Sequence, residues 1–344
     1  MIYYTAFFAF TYLFSKLRTR IGRRTIQQSR AFLIGILILL LMGLRDQTVA
    51  GDTIVYVWDF LSRPIYWPGF VEFFRNTKEP LFYFLEYLCQ QVTSSYTVYL
   101  FVTSMMVAIG FSKLLADYSE DMFLSVLLFC GIGTMFFCMA GLRQAIAIGC
   151  TMLAFRYAKE RRLTPFLVWC LVAYNFHNSA IVFVFVYWIV TWKPNWKAWI
   201  PVGISVILGL TRNPIVMLLA NFFTSKEYEM AQEGLNYTLF FIQLVFVVFC
   251  FVFRKQTLCK EKQPDFDSLL AMSFIGLCFQ ALVPIKGEFF RVSSYFSVYL
   301  CMAVTKTVAS FDARYKMFVR SVMVVGLLLY VYLLGNVRSY QTCF

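Results

Sequence analysis

The chain has 344 residues, 60% of them hydrophobic and only 14% charged, with 31 Lys and Arg against 18 Asp and Glu for a net charge of +13. Ordinary soluble domains carry roughly 25% charged residues, so this composition excludes a soluble globular chain and predicts an all-α integral membrane protein. One histidine and ten cysteines without a CxxC pair give almost no ligand set for zinc and no disulfide framework.

A helix needs about 20 mostly apolar residues to cross a hydrocarbon core of roughly 30 Å. The opening MIYYTAFFAFTYLF lacks the basic start and small-residue cleavage site of a removable signal, so it is expected as a retained first helix near 2–15. Apolar runs then predict spans near 31–44, 96–115, 122–139, 143–158 and 164–176, followed by 178–192, 198–210, 236–253, 267–285, 289–305 and 318–335. That makes about twelve spans in a single polytopic domain over 1–344. Two polar-rich segments, 45–95 and 211–235, are expected as extracytoplasmic loops. Within the first, EPLFYFLEYLCQQV (79–92) is too short and too mixed to span, and is expected as a helix lying in the interface. No repeat of fixed period occurs. Cys130, Cys150, Cys170, Cys250 and Cys278 fall inside the apolar runs, where Cys acts as a small hydrophobe.

Lys and Arg divide unevenly between alternate loops. With both termini outside, 21 of the 31 fall on the cytoplasmic face, six of them in 16–30. Positively charged loops are retained in the cytoplasm, so this orientation is the predicted one. Acidic residues divide evenly enough that the whole net charge sits inside, which implies contact with anionic lipid rather than nucleic acid.

On this topology the unusual polar residues share the outer face. Arg45 and Asp46 end the second span, and Arg143 and Gln144 begin the fifth after Gly141. His177 sits in the turn between the sixth and seventh, and Lys286, Glu288 and Arg291 lie at the outer end of a later hairpin. Taken singly, an arginine at a span end is a snorkelling anchor and a lone histidine a turn residue. Their sidedness argues otherwise, because the outer face should be poor in arginine. The guanidinium fork binds phosphate oxygens bidentately and keeps its charge when desolvated. No GxxxxGK[ST] loop or GxGxxG turn is present, so a nucleotide cofactor is not expected and neither is a metal. The pattern suits a lipid-linked diphosphate held by its tail and clamped by side chains. Tyr56, Trp58, Tyr66, Trp67 and Tyr83 suit sugar stacking or, more simply, an interfacial aromatic belt.

The ordered stretches GLRDQTVAGDTIVY, GLRQAIAIG, FHNSAIVF and FFRVSSYF resemble the EpsG family of bacterial polysaccharide polymerases, which are functionally similar to Wzy proteins; the resemblance runs over about residues 1–335. It implies a GT-C-like polytopic inner-membrane glycosyltransferase with short periplasmic interfacial helices. Such an enzyme joins undecaprenyl-diphosphate-linked repeat units into O-antigen, capsule or exopolysaccharide, and the resemblance allows a chain-length regulator as partner. Matched residue by residue, it carries over Arg45, Gly51, Asp52 and Tyr56, then Arg143 and Gln144, His177 and Ser179, and Arg291 and Tyr295. Arg143 and Arg291 would stabilise the departing diphosphate, and Asp52 or His177 would take the proton of the attacking hydroxyl. Arg45, Asp46, Tyr56, Gln144, Ser179, Glu288 and Tyr295 would surround the substrate. Lys286-Gly287-Glu288 departs from the family pattern, and the arginine-x10-glycine motif of some Wzy proteins is missing. The alternatives are a lipid-linked oligosaccharide flippase and a ligase or acyltransferase. Against a coupled transporter, the span centres hold nothing stronger than Gln243 and Gln280.

Overall fold

Helix starts in this chain are written locally. Thr25 begins one reciprocally: its hydroxyl accepts from the Gln28 N–H at 3.2 Å while Gln28 Oε1 accepts from the Thr25 N–H at 3.0 Å. Asp121 begins another by accepting from the Leu124 N–H at 3.1 Å. The computed structural model describes residues 2–212, 214, 216, 237–261 and 265–334. Among these it has helices and no strand.

In chain order the helices are α1 (Ile2–Ser15), α2 (Ile26–Gly43), α3 (Thr53–Ser62), α4 (Phe70–Asn76), α5 (Pro80–Val92), α6 (Tyr96–Tyr118), α7 (Met122–Gly131), α8 (Thr134–Ala140), α9 (Leu142–Lys159) and α10 (Leu163–Phe176). A 3-10 helix (Asn178–Phe185) runs into the single turn α11 (Val186–Ile189), and a second 3-10 turn (Trp196–Ala198) into α12 (Trp199–Thr211). The rest are α13 (Thr238–Val252), α14 (Arg254–Glu261), α15 (Phe266–Ala281), α16 (Glu288–Ala309) and α17 (Ala313–Leu334). Each of the twelve apolar segments is thus largely helical over its described residues. Helices α2, α6 and α17 are long and apolar enough to cross a membrane, and α7 with α8, broken at Ile132 and Gly133, makes a fourth if taken as one span. Several shorter helices, α1, α3, α10, α12, α13 and α15 among them, are apolar as well. The expected loop 45–95 holds α3, α4 and α5; of 211–235, all but 211, 212, 214 and 216 lies outside the described residues.

The helices sort into two compact units. The first is Met1–Asp117, Met135–Val184 and Gly326–Phe344; the second is Tyr118–Thr134 and Phe185–Val325. Lipid tails are as apolar as leucine, so helices in a membrane gain by close van der Waals packing through small residues. In the first unit α6 meets α9 this way: a Cβ on Gly149 would lie 2.4 Å from the Met106 carbonyl oxygen. In the second, α15 and α16 close on Gly276, whose carbonyl accepts from Ser293 Oγ at 2.8 Å. Charges in the second unit are paired as well. Arg254 grips Asp267 through two bonds of 2.7 and 2.8 Å, buried Lys306 lies 3.5 Å from Glu120, and Arg320 pairs with Asp121.

Candidate functional site

Helix α9 begins abruptly after Gly141 and sets Arg143 in its first turn. A cation there opposes the partial positive charge of a helix N-terminus, so it needs a counter-ion, and Glu79 supplies it. Arg143 Nη1 donates to Glu79 Oε2 at 2.9 Å, and Arg143 Nε donates to the Tyr56 hydroxyl at 3.3 Å. The guanidinium lies over the rings of Tyr56 and Phe82, 5.5 and 5.9 Å from their centroids. Nη2 makes no hydrogen bond to a described residue, and the side chain stays 27% exposed, so one edge of the fork faces outward.

Glu79 is held from three directions. Its Oε1 also meets His177 Nδ1 at 2.5 Å and accepts from the Asn178 N–H at 3.3 Å. Its backbone is left-handed, with φ 56° and ψ 53°, immediately before Pro80 at the start of α5. For a residue with a Cβ this conformation costs roughly 1–2 kcal/mol. Burial by itself would raise the Glu79 carboxyl, but the His177 hydrogen bond and charge, followed by Arg143 and the Asn178 N–H, hold it below the ordinary carboxylate range. It is therefore an ionised acceptor at neutral pH. An ionised carboxylate can only accept, so His177 Nδ1 carries a hydrogen, and in the neutral imidazole Nε2 is the basic nitrogen. His177 is positioned from behind by the end of α10, where its extended backbone donates to the Ala173 carbonyl at 2.9 Å.

Of the residues singled out in the sequence, the structure joins Tyr56, Arg143 and His177, through an acid that sequence reasoning passed over. Arg45 and Asp46, expected on the same face, make other bonds. Arg45 is fully buried, and its guanidinium donates to the main-chain carbonyls of Met42 and, at 2.8 Å, Met139, with Ser104 Oγ at 3.5 Å. It is an inward tie between the end of α2 and the end of α8. Thr53 Oγ1 donates to the same Met139 carbonyl at 3.0 Å. Asp46 accepts from the Thr48 hydroxyl and N–H, which lower its carboxyl and make it a turn residue. Asp52 stands half-exposed at the start of α3 with no side-chain bond to a described residue. Gln144 and Ser179 are buried next to Arg143 and Asn178 in sequence. Glu288, Arg291 and Tyr295 belong to the first two turns of α16 in the second unit, Tyr295 fully buried and the other two half-buried.

Helix α5 adds a second unforeseen acid. Glu86, two turns beyond Glu79, is buried on the same face as Phe82 and Cys89. Burial, then the Asp59 carboxylate, pushes its pKa up to about 7, against the pull of Arg143. Burial likewise raises the Tyr83 hydroxyl. Two carboxyls seven residues apart, one at the cap of α5 and one within it, are thus shifted in opposite directions. Among the described residues no three His, Cys, Asp or Glu side chains converge as a metal site would require.

Described residues that are helical throughout, membrane-length apolar helices, and a half-buried Arg–His pair on a buried Glu79 define a polytopic membrane protein with a built, charged centre. A model of the EpsG family matches residues 30–343, and the chain belongs to that family, whose members are glycosyltransferase-like polymerases of polysaccharide biosynthesis. No curated protein and no solved structure matches it.

Proposed function

We propose that the chain polymerises oligosaccharide repeat units carried on undecaprenyl diphosphate, at the extracytoplasmic face of a bacterial inner membrane. The reading keeps about twelve crossings in a GT-C-like arrangement with both termini outside. The product would be an O-antigen, capsule or exopolysaccharide of the kind Wzy proteins make. The observation that carries it is Glu79 bridging Arg143 and His177, with the outward edge of Arg143 beside the N-terminus of α9.

In this reaction a hydroxyl oxygen of one lipid-linked unit attacks the anomeric carbon of another glycan. The new C–O bond forms as the bond to the diphosphate breaks. The hydroxyl proton passes to His177 Nε2, whose other nitrogen Glu79 holds in the donating tautomer, as the carboxylate of a catalytic triad does. Undecaprenyl diphosphate departs as an anion facing the free edge of Arg143 and the N–H groups that open α9, both of which interact more strongly with it as charge develops. His177 then releases its proton to water. Between the two candidate bases the geometry favours His177, because no described group orients Asp52. Arg291 stands as a further phosphate-binding candidate on the second unit.

The test is full-length protein in detergent with a lipid-linked repeat unit, read as glycan length on lipid. Wild type and Asp52→Asn should extend the chain. His177→Ala and Arg143→Gln should slow it by about 100-fold or more. Transfer to a different acceptor would make the chain a ligase, no covalent change would favour a flippase, and an active His177→Ala would refute the proton route.

A further inference from the structure

The far end of the first unit carries a second feature that the proposed chemistry does not use. A groove of about 610 Å³ runs between α2 and α6, floored by Leu153. On α2 its wall is the stripe Ala31, Phe32, Gly35, Ile36 and Leu39, whose members are related by three or four residues and so share one helix face. On α6 it is Met105, Ala108 and Ile109, at the same spacing. Both stripes turn polar at one end only: Arg24 and Gln28 stand at the start of α2, Ser112 and Lys113 toward the end of α6. Phe32, Ile36, Met105 and Ile109 are each more than a third exposed, so the groove opens sideways.

The two helices are pinned together at the polar end. Gly35 admits Ser112, since a Cβ on the glycine would lie 1.9 Å from the serine oxygen, and Ser112 Oγ donates to the Ala108 carbonyl at 2.6 Å. The Arg24 guanidinium lies 4.1 Å from the centroid of the Phe32 ring, which leaves its donors turned outward. Lys113 is shared with Asp117 at 2.9 Å, so the mouth carries one full positive charge and part of another. From Gln28 to Leu39 the apolar wall is about 16 Å long, the scale of an acyl chain, at 1.5 Å per residue. The cationic mouth belongs to segments whose Lys and Arg predict the cytoplasmic side. It lies at the opposite end of the 18-residue α2 from Arg45, about 27 Å away. That separation, close to the thickness of a hydrocarbon core, sets this anion site apart from the Arg143 cluster.

The geometry points to a binding site for an anionic glycerophospholipid of the cytoplasmic leaflet, one acyl chain lying between α2 and α6 and the phosphate meeting Arg24, Gln28 and Lys113. Apolar length, sideways opening and a basic mouth at one end match a lipid, whereas a free phosphate would use the mouth alone. Basic pockets between helices on this side of a membrane hold such head groups.

The experiment uses full-length protein in phosphatidylcholine vesicles with trace spin-labelled phosphatidylglycerol or spin-labelled phosphatidylcholine, read as the motionally restricted fraction. Wild type should prefer phosphatidylglycerol by about fivefold at low salt, the worth of one cation near a membrane surface, and the preference should fall with added salt. Arg24→Gln with Lys113→Gln should remove it, whereas Arg161→Gln with Arg162→Gln, on exposed cytoplasmic-side cations, should keep it. Ile36→Trp, filling the groove from its open side, should lower the restricted fraction of both lipids. Equal restriction in wild type overturns the site, as does a preference surviving the Arg24 and Lys113 changes. Loss in the Arg161 and Arg162 control also overturns it, and so does displacement by millimolar inorganic phosphate, which would reveal a free-anion site. If the Arg24 and Lys113 variant does not fold, the salt titration and Ile36→Trp still decide the matter.

Discussion

Glu86 should make the protein less stable in alkali, and Glu86→Gln should remove that weakness. The carboxyl is 4% exposed in α5, and its pKa rises from an ordinary 4.5 to about 7. A raised acid pKa means that the folded chain holds the proton more tightly than the unfolded chain. The stability this proton contributes is complete below pH 4.5 and is lost as the pH climbs to about 7. A shift of about 2.5 units at 1.36 kcal/mol each gives about 3 kcal/mol. The group is deeply buried, so solvent screening removes little of it. The assay is thermal unfolding in detergent between pH 5 and 9, followed through tryptophan fluorescence. Just under 1 kcal/mol of this is already lost at pH 5, so at roughly 2 °C per kcal/mol for a chain of this size wild type should melt about 5 °C lower at pH 8.5 than at pH 5 relative to Glu86→Gln. Glu79 cannot mimic the effect. Its pKa is lowered, so its contribution is present above the ordinary carboxylate range and disappears only in more acid solution. Parallel melting curves for wild type and variant across this window would refute the placement of Glu86 in an apolar site beside Asp59.

Three further outcomes follow from the same geometry. Glu79→Gln keeps the shape but loses the ionised acceptor, so chain extension by the folded protein should fall about 100-fold and its pH profile should shift, with a lower melting temperature from the loss of the Arg143 pair. Arg45→Met should cut the yield of folded protein by removing charge-assisted bonds to two carbonyls, about 3 kcal/mol together, whereas Asp46→Asn should express normally; gel filtration separates the two. Gly149→Val should abolish folded protein, because its side chain would enter the Met106 backbone.

The helices were legible in the sequence because an apolar run long enough to cross or enter a membrane has few other stable forms. The site was legible in part. Arg143 and His177 were singled out because the predicted topology puts arginine where it is out of place, and the structure brings the two together on Glu79. Glu79 was not, because EPLFYFLEYLCQQV scans as an amphipathic interfacial helix and glutamate does not advertise a left-handed turn. The acid immediately ahead of a helix-opening proline was the one usable signal. Arg45 was read as a lip residue facing a ligand. Its actual partner, the Met139 carbonyl, lies 94 positions away, a pairing that no local pattern encodes. Glu86 escaped notice because its perturbation comes from burial in the folded chain and then from Asp59 on another helix.

Position 79 places two incompatible demands on one residue. Its backbone favours glycine, asparagine or aspartate, the residues most at ease with a positive φ. Yet glycine has no carboxylate, asparagine no charge, and aspartate an arm one carbon shorter than the one that spans Arg143 and His177. Only a glutamate wound against its own preference satisfies both, so replacements here should fail by kind rather than by degree, and a screen that scores folding alone would rank them in a different order from one that scores polymer.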